Sequence, residues 1–127
     1  MSQPRILLAE DNLVMADVIR FNLMRSGFDV TVANDGTTAI KKMEQESFDV
    51  ILLDNQMPGM TGEEICRHHV RHNRHSGTPI MMCSAKGLEM EPQLIEELGL
   101  CDIVFKPFSP KALVSQIRSH ITVPVDG

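Results

Sequence analysis

Five residues scattered through the sequence, Glu10, Asp11, Asp54, Ser84 and Lys106, are of the types that handle phosphoryl groups and divalent metals. Three carboxylates brought together repel one another, so such a grouping needs compensation. Lys106 supplies one positive charge. A hard divalent cation would supply the rest, and oxygen ligands with open water positions suit Mg²⁺. The same ion would neutralise an incoming phosphoryl group and draw its oxygens into place. A carboxylate such as Asp54 is a competent nucleophile for phosphoryl transfer and yields an aspartyl phosphate. Ser84 could donate a hydrogen bond to one phosphoryl oxygen while Lys106 pairs with another.

That chemistry requires elements that carry residues from distant parts of the chain to one place. Short apolar runs at Ile6–Ala9, Phe28–Val32, Val50–Leu53, Ile80–Cys83 and Ile103–Phe105 read as strands. The first, third and fourth are continuously apolar, as central parallel strands covered on both faces should be. The second alternates, with Phe28, Val30 and Val32 against Asp29 and Thr31, which reads as an edge strand. Helical spacing fills the gaps: Met15, Ile19 and Leu23 with Val14 and Val18 beside them; Ala39 and Met43; Met90, Leu94 and Leu98; Leu113, Ile117 and Ile121. Thr61 and Glu64 have the spacing of a capping box, and Ser109-Pro110 gives an N-cap and a first-turn proline. Gly27 and Gly99 read as helix stops.

Strands and helices in alternation predict a doubly wound α/β sheet of five parallel strands and five helices, in the order 2-1-3-4-5. Ligands on such sheets bind at the carboxyl ends of the strands. Glu10 and Asp11 follow the first strand, Asp54 the third, Ser84 the fourth and Lys106 the fifth. The five chemically competent residues therefore face one end of the sheet. The 127 residues suit a single domain, 1–127, with a frayed tail at about 122–127.

The motifs Glu10-Asp11, DNQMPGMTG from Asp54 to Gly62, Ser84-Ala85 and Lys106-Pro107-Phe108, in this order at strand ends, resemble those of the receiver domains of two-component response regulators. The resemblance covers nearly the whole chain and implies a flavodoxin-like receiver fold. It implies that Asp54 takes a phosphoryl group from a phosphohistidine on a sensor histidine kinase or histidine phosphotransfer protein, with output through protein–protein contact. It also implies metal ligation by Asp11 and Asp54 directly, by Glu10 through water and by the backbone carbonyl of Gln56. Ser84 would move toward the phosphoryl group and Lys106 would bridge it to the carboxylate. The Lys106–Pro107 peptide is often cis in this family, and slow self-hydrolysis of the acyl phosphate is implied rather than enzymatic turnover of a substrate. Gln56 and Lys86 would flank the phosphorylation site and tune access of water.

One position departs from the pattern: the family usually has Tyr or Phe where Ile103 stands, three residues before the lysine. The departure leaves the phosphorylation chemistry intact and opens a second reading, a receiver-like binding module whose switching is weakened or independent of phosphorylation. Phe105, by strand alternation, should point to the opposite face from Lys106 and is read as core.

Other features exclude or redirect. A net charge of −5 argues against direct nucleic-acid binding. No apolar run is long enough to span a membrane, and Cys66, Cys83 and Cys101 offer no zinc spacing and read as buried or half-buried thiols, so a cytoplasmic setting is expected. Gly59 and Gly62 read as turn residues, and with no GxxxxGK there is no nucleotide P-loop. The absence of Trp and Tyr speaks against a flavin carrier, and Asp54-Asn55-Gln56 lacks the second aspartate of a DxD phosphatase. His68, His72 and His75 fall on one helical face, which reads as an exposed, partly cationic surface suited to a kinase or target contact ahead of a transition-metal site. Leu88 and Met90 form either core or a docking face on the fourth helix.

Overall fold

A computed structural model describes residues 3–57, 59–72, 78–85, 91–106 and 109–121. Five parallel strands form one sheet: β1 (Arg5–Ala9), β2 (Asp29–Ala33), β3 (Val50–Asp54), β4 (Ile80–Ala85) and β5 (Leu100–Lys106). The helices are α1 (Leu13–Arg25), α2 (Gly36–Gln45), α3 (Gly62–His72), α4 (Pro92–Leu98) and α5 (Pro110–His120). Strand order is β2-β1-β3-β4-β5, as the alternation of elements predicts. β3 is buried at every residue, which its run VILLD requires of a strand covered on both faces. β2 lies at one edge with its middle residues half-buried.

Strand alternation sorts the core into two layers. Leu7, Ile51, Leu53, Ile80 and Met82 meet Ala39 and Met43 of α2, Ile65 and Cys66 of α3 and Leu98 of α4. Ile6, Leu8, Val50, Leu52, Met81, Cys83 and Val104 meet Ala16, Ile19 and Leu23 of α1 and Leu113, Val114 and Ile117 of α5. Full burial of such a side chain stabilises the fold by about 1.5–3 kcal/mol. The caps are where the sequence puts them. Thr61 and Glu64 close a capping box, with Glu64 N–H donating to Thr61 Oγ1 at 3.2 Å and Thr61 N–H to Glu64 Oε1 at 3.4 Å. Ser109 Oγ accepts from Ala112 N–H, and Gly99 ends α4 in the left-handed region at φ 69°.

Several expectations are corrected. In α1 the buried stripe is Ala16, Ile19 and Leu23; Met15, Val14 and Val18 are exposed. The helix presents the small Ala16 to the sheet, and at 100° per residue that turns Met15 outward. Phe105 is 49% exposed rather than core. It lies on the outermost strand, and α4 is only seven residues long, packing through Leu98 near Leu100 at the other end of β5. Cys101, on the same edge strand, is exposed, while Cys66 and Cys83 are buried. Lys86, Leu88, Met90, the Lys106–Pro107 peptide, Phe108, His75 and the tail from 122 lie outside the described residues, as does the side chain of His72. No helix among the described residues is long and apolar enough to cross a membrane.

Candidate functional site

Parallel pairing sets the strand ends side by side: Ala9 opposite Leu53, Asp54 opposite Cys83 and Ala85 opposite Lys106. Glu10 continues β1 by one residue, its N–H bonded to Ala33 O at 3.0 Å. Its carboxylate is 2% exposed and accepts from Asn12 N–H at 3.2 Å. Asn34 Nδ2 donates to the Glu10 carbonyl at 3.2 Å. Asp54, the last residue of β3, is 5% exposed. Its Oδ1 accepts from Gln56 N–H at 3.2 Å, and its Oδ2 lies 3.1 Å from Lys106 Nζ. Lys106 Nζ also reaches Glu10 Oε1 at 3.5 Å.

Asp11 is exposed at the rim, and one carboxylate oxygen from each of Glu10, Asp11 and Asp54 falls within 4.8 Å of the other two. The cap of α1 is Asn12, whose Oδ1 accepts from Met15 N–H at 3.0 Å, not Asp11. Asn12 thus takes the capping role and leaves the Asp11 carboxylate to the cluster. A cleft of about 510 Å³ opens beside these groups, lined by Asp11, Asn55, Gln56, Met57, Thr61 and Glu63.

The electrostatics follow from the crowding. Burial, and then the neighbouring Asp54 carboxylate, push Glu10 up to about 7, against the Asn12 N–H and the Lys106 charge. Burial works against the Lys106 ammonium, but Asp54 and Glu10 outweigh it and hold its pKa above the usual lysine value. One lysine is therefore shared between two buried carboxylates with a third beside them, and the site is short of positive charge. An all-oxygen donor set with one solvent-exposed ligand suits a hard divalent cation such as Mg²⁺.

Ser84 stands apart from this network. It is 2% exposed, and its Oγ has no hydrogen-bond partner among the described residues. Alternation explains the separation. Ser84 follows Ile80 and Met82, which face the α2–α3–α4 layer, whereas Asp54 follows Val50 and Leu52, which face α1 and α5. Ile103 is half-buried, and Phe105 sits in register with Ser84. Burial pushes the Cys83 thiol, next to Ser84, up to about 12, so it stays protonated.

Sequence reasoning missed three supports. Asn12 carries a readable signal, an Asn directly before an apolar helical run. Asn34 bonds across 24 residues and carries none. Gly62 is not in a turn conformation: it opens α3 against the Asp54–Asn55 backbone, where an added Cβ would lie 2.9 Å from Asp54 O and 2.6 Å from Met82 Sδ. Gly59, at φ 82°, is a turn glycine as expected. Of the histidine face, His68 Nε2 is 4.0 Å from Glu44 of α2, a carboxylate neighbour that the sequence did not indicate. The acidic triad is the one group of three such ligand types that meets among the described residues.

Comparison with known proteins gives consistent results. The family model for the response regulator receiver domain matches residues 6–118. A curated relative, the sensory transduction protein RegX3 of Mycolicibacterium smegmatis, is 35% identical over 122 residues, covering 96% of this chain and 52% of its own length. The chain thus spans about half of that relative. Among solved structures, the chemotaxis response regulator CheY4 of Vibrio cholerae superposes with a TM-score of 0.87 at 27% identity, covering 94% of this chain and 100% of that one. The receiver domain of the sensor histidine kinase PA1611 of Pseudomonas aeruginosa, with a magnesium ion coordinated in its active-site cleft, does so at 0.82 and 29% identity, covering 94% and 97%.

Proposed function

The chain belongs to the response regulator receiver domain family, and from that premise we propose that Asp54 is the phosphoryl acceptor of a Mg²⁺-dependent signalling switch. The observation that carries this reading is the ammonium of Lys106 3.1 Å from Asp54 Oδ2, with the carboxylates of Glu10 and Asp11 gathered alongside. The Asp54 carboxylate faces the Lys106 ammonium and accepts the Gln56 N–H. Its oxygen attacks the phosphorus of a phosphohistidine; the P–N bond breaks as the P–O bond forms, and the imidazole leaves with a proton. Asp11, Asp54 and the Gln56 carbonyl would hold the metal, with Glu10 contributing through water. When bound, Mg²⁺ offsets the carboxylate repulsion and stabilises charge on the phosphoryl oxygens. Lys106 then bridges the phosphoryl group and the Asp54 carbonyl, and Ser84 Oγ, an orphaned buried hydroxyl, finds an acceptor in a phosphoryl oxygen.

The donor is a sensor histidine kinase or a histidine phosphotransfer protein. Leu13, Val14, Val18 and Phe21 of α1 are exposed and begin two residues from Asp11, and this apolar face is where the donor docks. The chain acts as one receiver domain over 1–127 in the cytoplasm, signalling through a protein target without touching nucleic acid or membrane. Its only turnover is slow hydrolysis of its own acyl phosphate. A second reading rests on Ile103: with no aromatic there, the phosphoryl group is accepted but the β4–β5 edge responds weakly.

Intact-mass measurement after incubation with an acyl-phosphate donor and Mg²⁺ tests the first reading. One added phosphoryl group is expected in the unmodified chain and none in Asp54→Asn. An unchanged mass with Mg²⁺ saturating would sink phosphoryl acceptance. Phosphorylation without amide chemical-shift changes at Ser84, Ile103 and Phe105 would select the second reading.

A further inference from the structure

A second polar cleft lies along the outer seam of α1 and α5, with a volume of about 360 Å³ and no residue in common with the acid site. It is lined by Asn22, Arg25 and Ser26 on one wall and by Lys111, Val114 and Arg118 on the other, with Pro110 at its end. Three of its residues are cations and none is a carboxylate. In a chain of net charge −5 this is unusual. Several cations elsewhere are matched: Arg5 with Asp29 and Glu46, Lys42 with Glu46, Arg67 with Glu63, Lys106 with Asp54 and Glu10; Arg20 and Lys41 make no ion pair among the described residues, but neither lines this cleft. Arg25, Lys111 and Arg118 make no ion pair among the described residues.

Two of these cations are nevertheless held in place, by groups that leave their charge uncompensated. Arg118 Nη2 donates to Ser26 O at 2.9 Å, and its guanidinium lies 5.7 Å from the centre of the Phe28 ring. The Arg25 guanidinium lies 5.6 Å from the Phe21 ring centre. Neither contact uses all of the five N–H groups of a guanidinium. Fixed, planar donors of this kind match phosphate oxygens in pairs, and Lys111 adds a mobile point charge.

We propose that this α1–α5 cleft binds a compact, multiply charged anion with the chemistry of a diphosphate, either free or as part of a nucleotide. Three like charges around one cavity repel each other, and a ligand carrying two or more negative charges relieves that repulsion. The cleft volume is in the range of small-molecule sites, roughly 300–1,000 Å³. An acidic protein surface fits less well. It would call for cations spread over a face, whereas the exposed side of α1 next to the cleft is apolar at Val18 and Phe21.

The test uses the full chain in Mg²⁺-free buffer at constant ionic strength, titrated with inorganic pyrophosphate and separately with ADP while backbone amide resonances are followed. Saturable shifts are expected at Asn22–Ser26 and Lys111–Arg118, with a Kd of about 1 mM or below for at least one probe. Equal affinities assign the diphosphate alone; tighter ADP assigns the nucleotide. The double variant Arg25→Gln, Lys111→Gln removes the two cations that donate no hydrogen bond among the described residues, and should weaken binding roughly tenfold or more. Arg118→Lys should retain part of the affinity, and Asp54→Asn all of it. Non-saturating shifts, undiminished binding in the double variant, or shifts centred on Asp54 and Gln56 would overturn the proposal. So would saturable binding of a glutamate-rich peptide in place of both probes, which would make the cleft a protein contact.

Discussion

Asp54 and Ser84 end neighbouring strands of one sheet, both are buried, and their polar atoms stand in opposite circumstances. Both Asp54 oxygens are engaged, one by the Gln56 N–H and one by Lys106, and Glu10 beside it is held by Asn12 and Lys106. The Ser84 hydroxyl has no partner among the described residues, and the strand next to it carries a half-buried Ile103 and an exposed Phe105. An unsatisfied buried hydroxyl costs about 1–3 kcal/mol relative to a bonded one. The acid site is thus preorganised, its donors and charges fixed before any ligand arrives. The β4–β5 edge holds free energy that a new acceptor near Asp54 would release. On the proposed function, the first region receives the phosphoryl group and the second is the one with a reason to move.

The largest expected effect comes from removing the cation that holds the acid site together. Lys106→Met leaves Glu10 and Asp54 facing each other without a counter-charge. Breaking a buried pair costs about 3–5 kcal/mol, but Lys106 is 31% exposed, so a loss of about 2 kcal/mol at pH 8 is expected by urea denaturation. The loss should be smaller at pH 6, where Glu10, pushed up to about 7, carries a proton and no longer repels Asp54. Saturating Mg²⁺ should restore part of it by binding the folded state. An unchanged urea midpoint would mean that the acid site is not preorganised by Lys106.

Gly62→Ala tests the same region through its backbone. The added Cβ meets Met82 Sδ, which can give way, but also Asp54 O at 2.9 Å and Asn55 Cα at 3.0 Å, which cannot without moving the nucleophile's own peptide. Overpacking of this kind costs about 1–3 kcal/mol. The expected signature is a lower melting temperature together with slower phosphoryl uptake from a small donor. Normal uptake in a destabilised variant would show that α3 adjusts and the Asp54 segment does not.

These two residues also mark how far the sequence could be read. Glu10, Asp54 and Lys106 were legible because parallel strands bring their carboxyl ends together, so position in the strand pattern fixes position in space. The capping box at Thr61 and Glu64 and the stop at Gly99 were legible because they depend only on residues within reach along the chain. The clash that reserves position 62 for glycine depends on how closely α3 approaches β3 and β4, which no local spacing encodes. The rotation of α1 failed for a related reason. Several apolar stripes run along that helix, and only contact with the sheet selects Ala16, Ile19 and Leu23 over Val14, Val18 and Phe21. Phe105 was misread because alternation tells which face a residue takes, not whether anything covers that face.

A smaller effect should appear on the far side of β5. Asp102 accepts hydrogen bonds from Ile103 N–H at 2.8 Å and Gln116 Nε2 at 3.2 Å, and its Oδ2 lies 3.0 Å from His120 Nε2. Burial pushes this carboxyl up, but the bonds from His120, Gln116 and the Ile103 amide outweigh it and hold it below the usual aspartate value. The folded state therefore binds this proton less readily than the unfolded chain. The resulting stability is fully present above the unfolded aspartate pKa of about 3.9 and is lost as pH falls through the depressed folded value. Asp102→Asn should cost about 1 kcal/mol at pH 6, given the partial exposure, and the difference should close at lower pH. A constant difference across that range would remove the carboxylate's charge from the account and leave β5 anchored to α5 by shape alone.

The smallest stability effect, and the one that separates the two regions most cleanly, is expected at Ser84. Ser84→Ala deletes a buried hydroxyl without a partner and adds no volume, so the folded state loses no bond. Stability should stay level or rise by up to about 1 kcal/mol, where deleting a bonded buried hydroxyl would lower it. Phosphoryl uptake on Asp54 should survive, because the groups engaged at that carboxylate are untouched. The amide shifts at Ile103 and Phe105 that accompany uptake in the unmodified chain should shrink. A loss of 1 kcal/mol or more in urea would mean that the hydroxyl is already bonded in the resting protein. The edge would then be as satisfied as the acid site, and the reason for it to move would have to lie in the packing around Ile103.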